Sequence, residues 1–185
     1  MGKIALTPKT YLYPMPAVLV GAYVQEKANF MVIAYCGIVQ HSPPMISIAS
    51  SKMHWTNQGI HQARAFSINI PPAALVKKTD FAGIATGKNT DKSELFTVRR
   101  GTATETPLID ECPLNLECKL VQTFDFGGSN EVFFGEIVAA HGEESILTKG
   151  LPDIKKLDPI VFSMHDNTYW QVGEFLGRAW KIVNE

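Results

Sequence analysis

The feature that most constrains this chain is a succession of short runs rich in β-branched and aromatic residues, each closed within a few residues by proline, glycine or a polar turn. Residues 17–23 (AVLVGAY), 30–35 (FMVIAY), 45–49 (MISIA) and 65–70 (AFSINI) are of this kind. Pro14 and Pro16 lead into the first, Pro43-Pro44 into the third, and Pro71-Pro72 follow the fourth. Proline donates no ladder hydrogen bond, so it belongs at strand ends and not in central strands. Residues 114–126 and 131–140 form a longer pair across Gly127-Gly128-Ser129-Asn130, which reads as a hairpin turn. Residues 160–164 and 169–172 read as a last pair, joined through His165-Asp166-Asn167. Helical signals are fewer: 57–64 with Thr56 as N-cap, 73–81 after Pro71-Pro72, 92–99 capped by Asp91, and 175–183 as a helix or docked tail.

Several antiparallel strands at close spacing, with a few short helices between them, predict a mainly β fold: a barrel or sandwich with helical insertions. A doubly wound parallel sheet is excluded, because no strand is regularly followed by a long crossover helix. The sequence also lacks the glycine pattern of a dinucleotide-binding turn and the phosphate loop of nucleotide hydrolases. Its 185 residues fit one domain spanning 1–185, and 45% hydrophobic with 19% charged residues describe a packed globule. A net charge of −1 gives no electrostatic reason to expect nucleic acid or an acidic membrane as partner. No run approaches the apolar length of a membrane-spanning helix, and residues 1–8 do not form a signal peptide. Cys36, Cys112 and Cys118 are an odd and sparse set, which favours a reducing, cytoplasmic setting over a disulfide framework.

Protein-borne catalysis finds little support. The five histidines lack metal-ligand spacing, no cysteine pair suits a metal, and no nucleophile elbow exists. No catalytic residue and no metal site are therefore expected. Three stretches remain that suit ligand binding. In residues 47–57 (SIASSKMHWTN) a strand gives way to a helix start. Hydroxyls, free backbone N–H groups and a cation at such a junction form an anion site, and Ser50, Ser51, Lys52 and Thr56 would hold a phosphate, with His54 a further donor. The same residues also read as an ordinary polar loop. Residues 27–37 lead from a polar turn into an apolar strand, where small Ala34 and Gly37 would admit a flat ring against backbone N–H and C=O groups; a plain core strand reads equally from them. Residues 87–92 form a polar loop with Lys88 and Lys92, either solvated or adding charge to the same phosphate. Cys36, on an apolar strand, is redox active or simply packed.

In order and spacing these motifs resemble the flavin reductase-like proteins with an FMN-binding split β-barrel, among which flavoredoxins are the nearest members. The resemblance rests on Tyr13-Pro14-Met15-Pro16-Ala17-Val18, Asn29-Phe30-Met31-Val32-Ile33-Ala34-Tyr35-Cys36, Ser42-Pro43-Pro44-Met45, Phe66-Ser67-Ile68-Asn69-Ile70, Pro107-Leu108-Ile109, Leu116-Glu117-Cys118-Lys119 and Phe133-Phe134-Gly135-Glu136-Ile137. It implies an antiparallel, Greek-key-like split barrel, an FMN cofactor near the interface of a homodimer, and oxidoreductase chemistry carried by the flavin. By resemblance the phosphate falls to Ser50, Ser51, Lys52 and Thr56, with Lys92 as a second partner, and the ring system to Asn29, Met31, Ala34, Tyr35 and Cys36. Many reductases of the family place a histidine where this chain reads Gly127-Gly128-Ser129-Asn130-Glu131. That departure favours an electron-transfer protein working with a protein or small-molecule redox partner over an NAD(P)H:flavin oxidoreductase. A non-catalytic flavin sensor is the alternative of another class, and a pyridoxamine-phosphate oxidase ranks below all of these.

Overall fold

In the computed structural model, which describes residues 2–184, the chain runs through β1 (Met15–Pro16), β2 (Val18–Val24), β3 (Lys27–Ile33), β4 (Cys36–Gln40), β5 (Met45–Ser51), helix α1 (Thr56–Ala63), β6 (Ala65–Ile70), helix α2 (Val76–Ile84), β7 (Val98–Arg100), β8 (Pro107–Ile109), β9 (Leu114–Asp125), β10 (Asn130–Gly142), β11 (Leu147–Thr148), β12 (Leu151–Pro152), helix α3 (Ile154–Leu157), β13 (Val161–Ser163) and β14 (Thr168–Trp170). Seven of these strands form one antiparallel sheet in the order β3-β2-β6-β9-β10-β5-β4. Its edge strands, β3 and β4, are consecutive in the chain and joined only by Ala34 and Tyr35. The sheet must therefore curl until its two ends adjoin, which makes it a barrel. Ser50 on β5 reaches Met31 on β3 across that seam.

Alternation along the strands decides what fills the barrel. Val18, Val20 and Ala22 of β2, Met31 and Ile33 of β3, Ile46 and Ile48 of β5, Phe66 and Ile68 of β6, Cys118 and Leu120 of β9 and Phe133 of β10 point inward and form one core. Leu19, Ala28 and Phe30 face the other way and meet Ala82, Phe96, Ile109 and Cys112 beneath α2 and the β7–β8 hairpin. Strands β2 and β3 are thus buried on both sides, which explains their nearly continuous apolar runs. Each fully buried large apolar side chain, such as Phe30 or Phe66, stabilises the fold by about 1.5–3 kcal/mol.

Strand and hairpin positions agree with the sequence expectation to within a few residues, and β6 matches it end to end. The short β4, β7, β8, β11 and β12 carry no alternation and were not anticipated. Three local expectations need correction. Thr56 is the first residue of α1 and not its cap; the capping position is Trp55, which makes no side-chain cap bond. Its hydroxyl is instead drawn to Asn29. Asp91 does cap its segment, accepting from the Ser93 amide, but only a 3-10 turn over Lys92–Leu95 follows. Phe96 is then pulled into the outer core, edge-on to Phe30 at 5.6 Å, and the chain extends into β7. Residues 175–183 form neither helix nor docked tail: the only regular piece is the 3-10 turn Ile182–Asn184, and Phe175, Leu176 and Trp180 are exposed.

Candidate functional site

Three adjoining hollows lie along the seam where β3 meets β5. The deepest, about 160 Å³, is closed by Asn29 and Met31 of β3, His54 to Thr56 before and at the start of α1, the end of α2 and the loop to Gly87, with Lys92 at its base. It shares Val32 and His54 with a second hollow of about 200 Å³, lined by Ile33, Ala34, Tyr35, Ala49, Ser51, Asn130 and Met164. Met164 also belongs to a third, wider hollow of about 680 Å³ between Tyr13-Pro14, β13 and Trp170.

Local packing builds the deep hollow. Helix α1 can lie against β2 because Gly59 faces the Tyr23 carbonyl, where any Cβ would collide. That seating brings Thr56 to Asn29, whose Nδ2 donates to Thr56 Oγ1 at 2.7 Å. Thr56 accepts there and so keeps its own hydroxyl proton to donate. Gly87 lies directly against Asn29 and Trp55, and a side chain at that position would overlap both.

Lys92 supplies the charge. It is 4% exposed, and its Nζ donates to the carbonyls of Phe30 at 2.8 Å and Ala82 at 2.7 Å. An ammonium carries three donors, so one remains without a protein acceptor among the described residues. Burial pulls the Lys92 amine down to about 8. No carboxylate lines the hollow. A buried cation with a spare donor and no anion beside it is poised for an anionic ligand.

His54 lines both the deep hollow and its neighbour, with Ser50 buried behind it. Ser50 Oγ lies 2.7 Å from Asn57 Oδ1 and 2.9 Å from His54 Nδ1. Burial, and then the nearby Lys92 cation, hold His54 below the usual imidazole range. Further along, Ala34 and Tyr35 form the tight connection from β3 to β4, with the Ala49 amide donating to the Tyr35 carbonyl at 2.8 Å. The middle hollow thus sets the small Ala34, Ala49 and Ser51 among the larger apolar Val32, Ile33 and Met164, a mixture that suits a flat heterocycle.

Of the ten residues expected at the site, Asn29, Met31, Thr56 and Lys92 line the deep hollow and Ala34, Tyr35 and Ser51 the middle one. Ser50 stands just behind, wholly buried, with its hydroxyl already engaged. Two lie elsewhere. Lys52 turns to the β9–β10 hairpin and pairs with Asp125 at 2.7 Å, because the β5–β10 register puts that hairpin beside it. Cys36 starts β4 and packs against the barrel core, where burial pushes its thiol up to about 12 and keeps it protonated at neutral pH. Gly37, expected beside a ring, sits on the exposed β4 edge. Sequence reasoning missed Asn57, Trp55, Thr86, Asn130 and Met164. Asn57, next to Thr56, had a local signal as a second polar residue in the first turn of the helix; Met164 had none, since the fold alone returns β13 to the seam.

Among the described residues no group of three histidine, cysteine or carboxylate side chains could hold a metal ion, and no helix is long and apolar enough to cross a membrane. A family model described as "Flavin reductase like domain" matches residues 10–162. Among solved structures, flavoredoxin from Methanosarcina acetivorans superposes with a TM-score of 0.94 and 44% identity, over 98% of this chain and 97% of that one. Flavoredoxin of Desulfovibrio vulgaris (Miyazaki F) does so with a TM-score of 0.91 and 35% identity, over 98% and 100%. A split barrel domain structure from Shewanella frigidimarina, at 20% identity and a TM-score of 0.81 over 90% and 85%, shares the fold alone.

Proposed function

The chain belongs to the flavin reductase-like domain family, and from that membership we propose that it binds FMN and transfers electrons through it, in the manner of a flavoredoxin. The observation that carries this reading is the buried Lys92, with no carboxylate lining its hollow, next to a second hollow lined by Ala34, Tyr35, Ala49 and Met164. The first hollow suits a phosphate, the second a flat ring. The likeness to two flavoredoxins at 44% and 35% identity supports the same assignment.

When bound, FMN supplies the redox chemistry. The chain's own residues then have three tasks. Lys92 and Thr56 donate to the phosphate and anchor the tail. Ala34, Tyr35 and Ala49 would flank the ring system, any backbone N–H left unpaired there stabilising charge that develops on reduction. Tyr35, Ala49 and Met164 would shield the bound ring from water. No protein acid or nucleophile is needed for this work.

The partner that delivers electrons is a protein or a small molecule. The hairpin tip Gly127-Gly128-Ser129 presents no imidazole to the slot, which supports a carrier over a direct NAD(P)H oxidoreductase. We also place the protein in the cytoplasm, in keeping with its three free thiols, and read it as a homodimer. Exposed Val121, Phe124 and Phe126 on the hairpin and Phe175, Leu176 and Trp180 near the C-terminus support a second copy as their cover. The test is spectroscopic. Protein mixed with FMN should retain a visible flavin band after desalting and should not bleach within seconds of adding NADH or NADPH. A colourless product would end the FMN assignment; rapid bleaching would convert the carrier into a reductase.

A further inference from the structure

A phosphate monoester carries close to two negative charges at neutral pH. The deep hollow offers it one cation. Around His54, β3 contributes Asn29, Met31 and Val32, β5 contributes Ala49 and Ser51, α1 contributes Thr56, β10 contributes Asn130, and the α2 end and following loop contribute Ala82 to Gly87. All are uncharged, and Tyr35 and Lys92 are the other titratable groups that line either hollow among the described residues. Of the neighbouring cations, Lys52 pairs with Asp125 and Lys27 with Asp91, while Lys88 stands over the ring of Trp55, a lining residue, without lining either hollow itself. A dianion seated on Lys92 alone would leave one negative charge uncompensated in a partly enclosed space.

The hydrogen-bond network around His54 fixes which nitrogen is available. Asn57 Nδ2 donates to the Ser51 carbonyl at 2.9 Å, a group that only accepts, so Asn57 Oδ1 faces Ser50. Ser50 gives its single proton to that oxygen at 2.7 Å; its other acceptors, Met31 Sδ and the Ser51 carbonyl, lie at 3.4 Å. Having no proton left for His54, Ser50 Oγ accepts from Nδ1–H at 2.9 Å. Neutral His54 is thereby held with its proton on Nδ1 and a lone pair on Nε2, and Nε2 has no protein partner among the described residues. Adding a proton at Nε2 disturbs none of these bonds.

Resting on the assignment of the deep hollow to the FMN phosphate, we propose that His54 is the second cation of that site and takes up a proton from solvent at Nε2 as the phosphate dianion enters. The proton passes from buffer to imidazole, the phosphate stays fully ionised, and the pocket becomes neutral. In the free protein, burial and Lys92 keep the ring uncharged. The incoming dianion reverses that balance. His54 acts here as a binding residue and takes no part in electron transfer.

The experiment is isothermal titration calorimetry of FMN into the flavin-free protein at pH 7, repeated in buffers of differing ionisation heat with no phosphate buffer among them. The slope of the observed enthalpy against that heat counts protons. Wild type should take up about half to one proton per FMN. The two other sources are distinguishable: completing the second ionisation of FMN releases protons, the opposite sign, and Lys92 is already largely charged at this pH. His54→Asn, which keeps an N–H for Ser50 but cannot be protonated, should lose the uptake and bind FMN about 5- to 20-fold more weakly. Riboflavin, lacking the phosphate, should show no uptake. FMN binding without uptake in wild type, or uptake that survives in His54→Asn, would overturn this inference and leave the FMN reading standing. Absence of FMN binding would overturn both. The wild-type buffer series decides the question even if the variant does not fold.

Discussion

Replacing Lys92 by methionine separates the ligand role of this residue from its structural one. The substitution keeps the length and apolar body of the side chain and removes the charge. In the free protein two effects oppose each other. The Phe30 and Ala82 carbonyls lose charged donors at 2.8 and 2.7 Å, each worth about 1.5–3 kcal/mol. The desolvation of a buried ammonium, several kcal/mol, disappears with the charge. The depression of the Lys92 amine to about 8 by burial shows that this second effect is substantial. Stability should therefore change by less than about 2 kcal/mol in either direction. If the phosphate sits on Lys92 as proposed, FMN binding has no such compensation, because it would lose a charge-assisted donor in a hollow lined by no other lysine or arginine. A loss of about 2–3 kcal/mol is expected, or about 30- to 150-fold in Kd. Riboflavin should bind the variant and the wild type alike. The assay is quenching of flavin fluorescence for both ligands, with urea unfolding of both proteins alongside. If FMN and riboflavin weaken equally, or neither does, the phosphate does not sit on Lys92.

Lys52→Ala should change FMN affinity by less than about threefold and stability by less than about 1 kcal/mol, since its ammonium is held by Asp125 in an exposed ion pair outside the hollows; a large loss in the same fluorescence titration would bring Lys52 back to the phosphate. Glu117 tests the scaffold. Its carboxylate is wholly buried and accepts from the amides of Thr102, Ala103 and Thr104, the Thr104 hydroxyl and His141 Nε2, at 2.7 to 3.0 Å. Burial alone would raise this carboxyl, but those donors outweigh it and hold it down at about 2. Because the folded value lies below the ordinary one, the stabilisation is complete above about pH 4.5 and is lost as pH falls towards 2. Glu117→Gln should unfold about 3 kcal/mol more easily at pH 7 and lose most of that acid-range slope in urea melts taken from pH 6 to 2. An unchanged slope would show that the acid sensitivity arises elsewhere.

How much of this was legible beforehand follows from the range of each interaction. Strand positions were readable because alternation and proline breaks are local: a residue on β2 or β6 announces its face through its neighbours two positions away. The edge strand β4 was not, because Ile38, Val39 and Gln40 are all exposed and leave no periodic trace. Family membership was legible from motif order, although each motif alone also reads as an ordinary loop or core strand.

The site divides along the same line. Sequence alone showed that Asn29, Thr56 and Lys92 are polar residues set beside apolar runs. It could not say which lysine lines the hollow, since Lys52 stands among the serines and is the more obvious choice. Only the fold decides that. The β5–β10 register hands Lys52 to Asp125, while the 3-10 turn after Asp91 drives Lys92 under α2, more than sixty positions along the chain from the Phe30 carbonyl it meets. Burial and partner choice arise from contacts between segments distant in sequence, and those contacts exist only once the sheet has closed on itself.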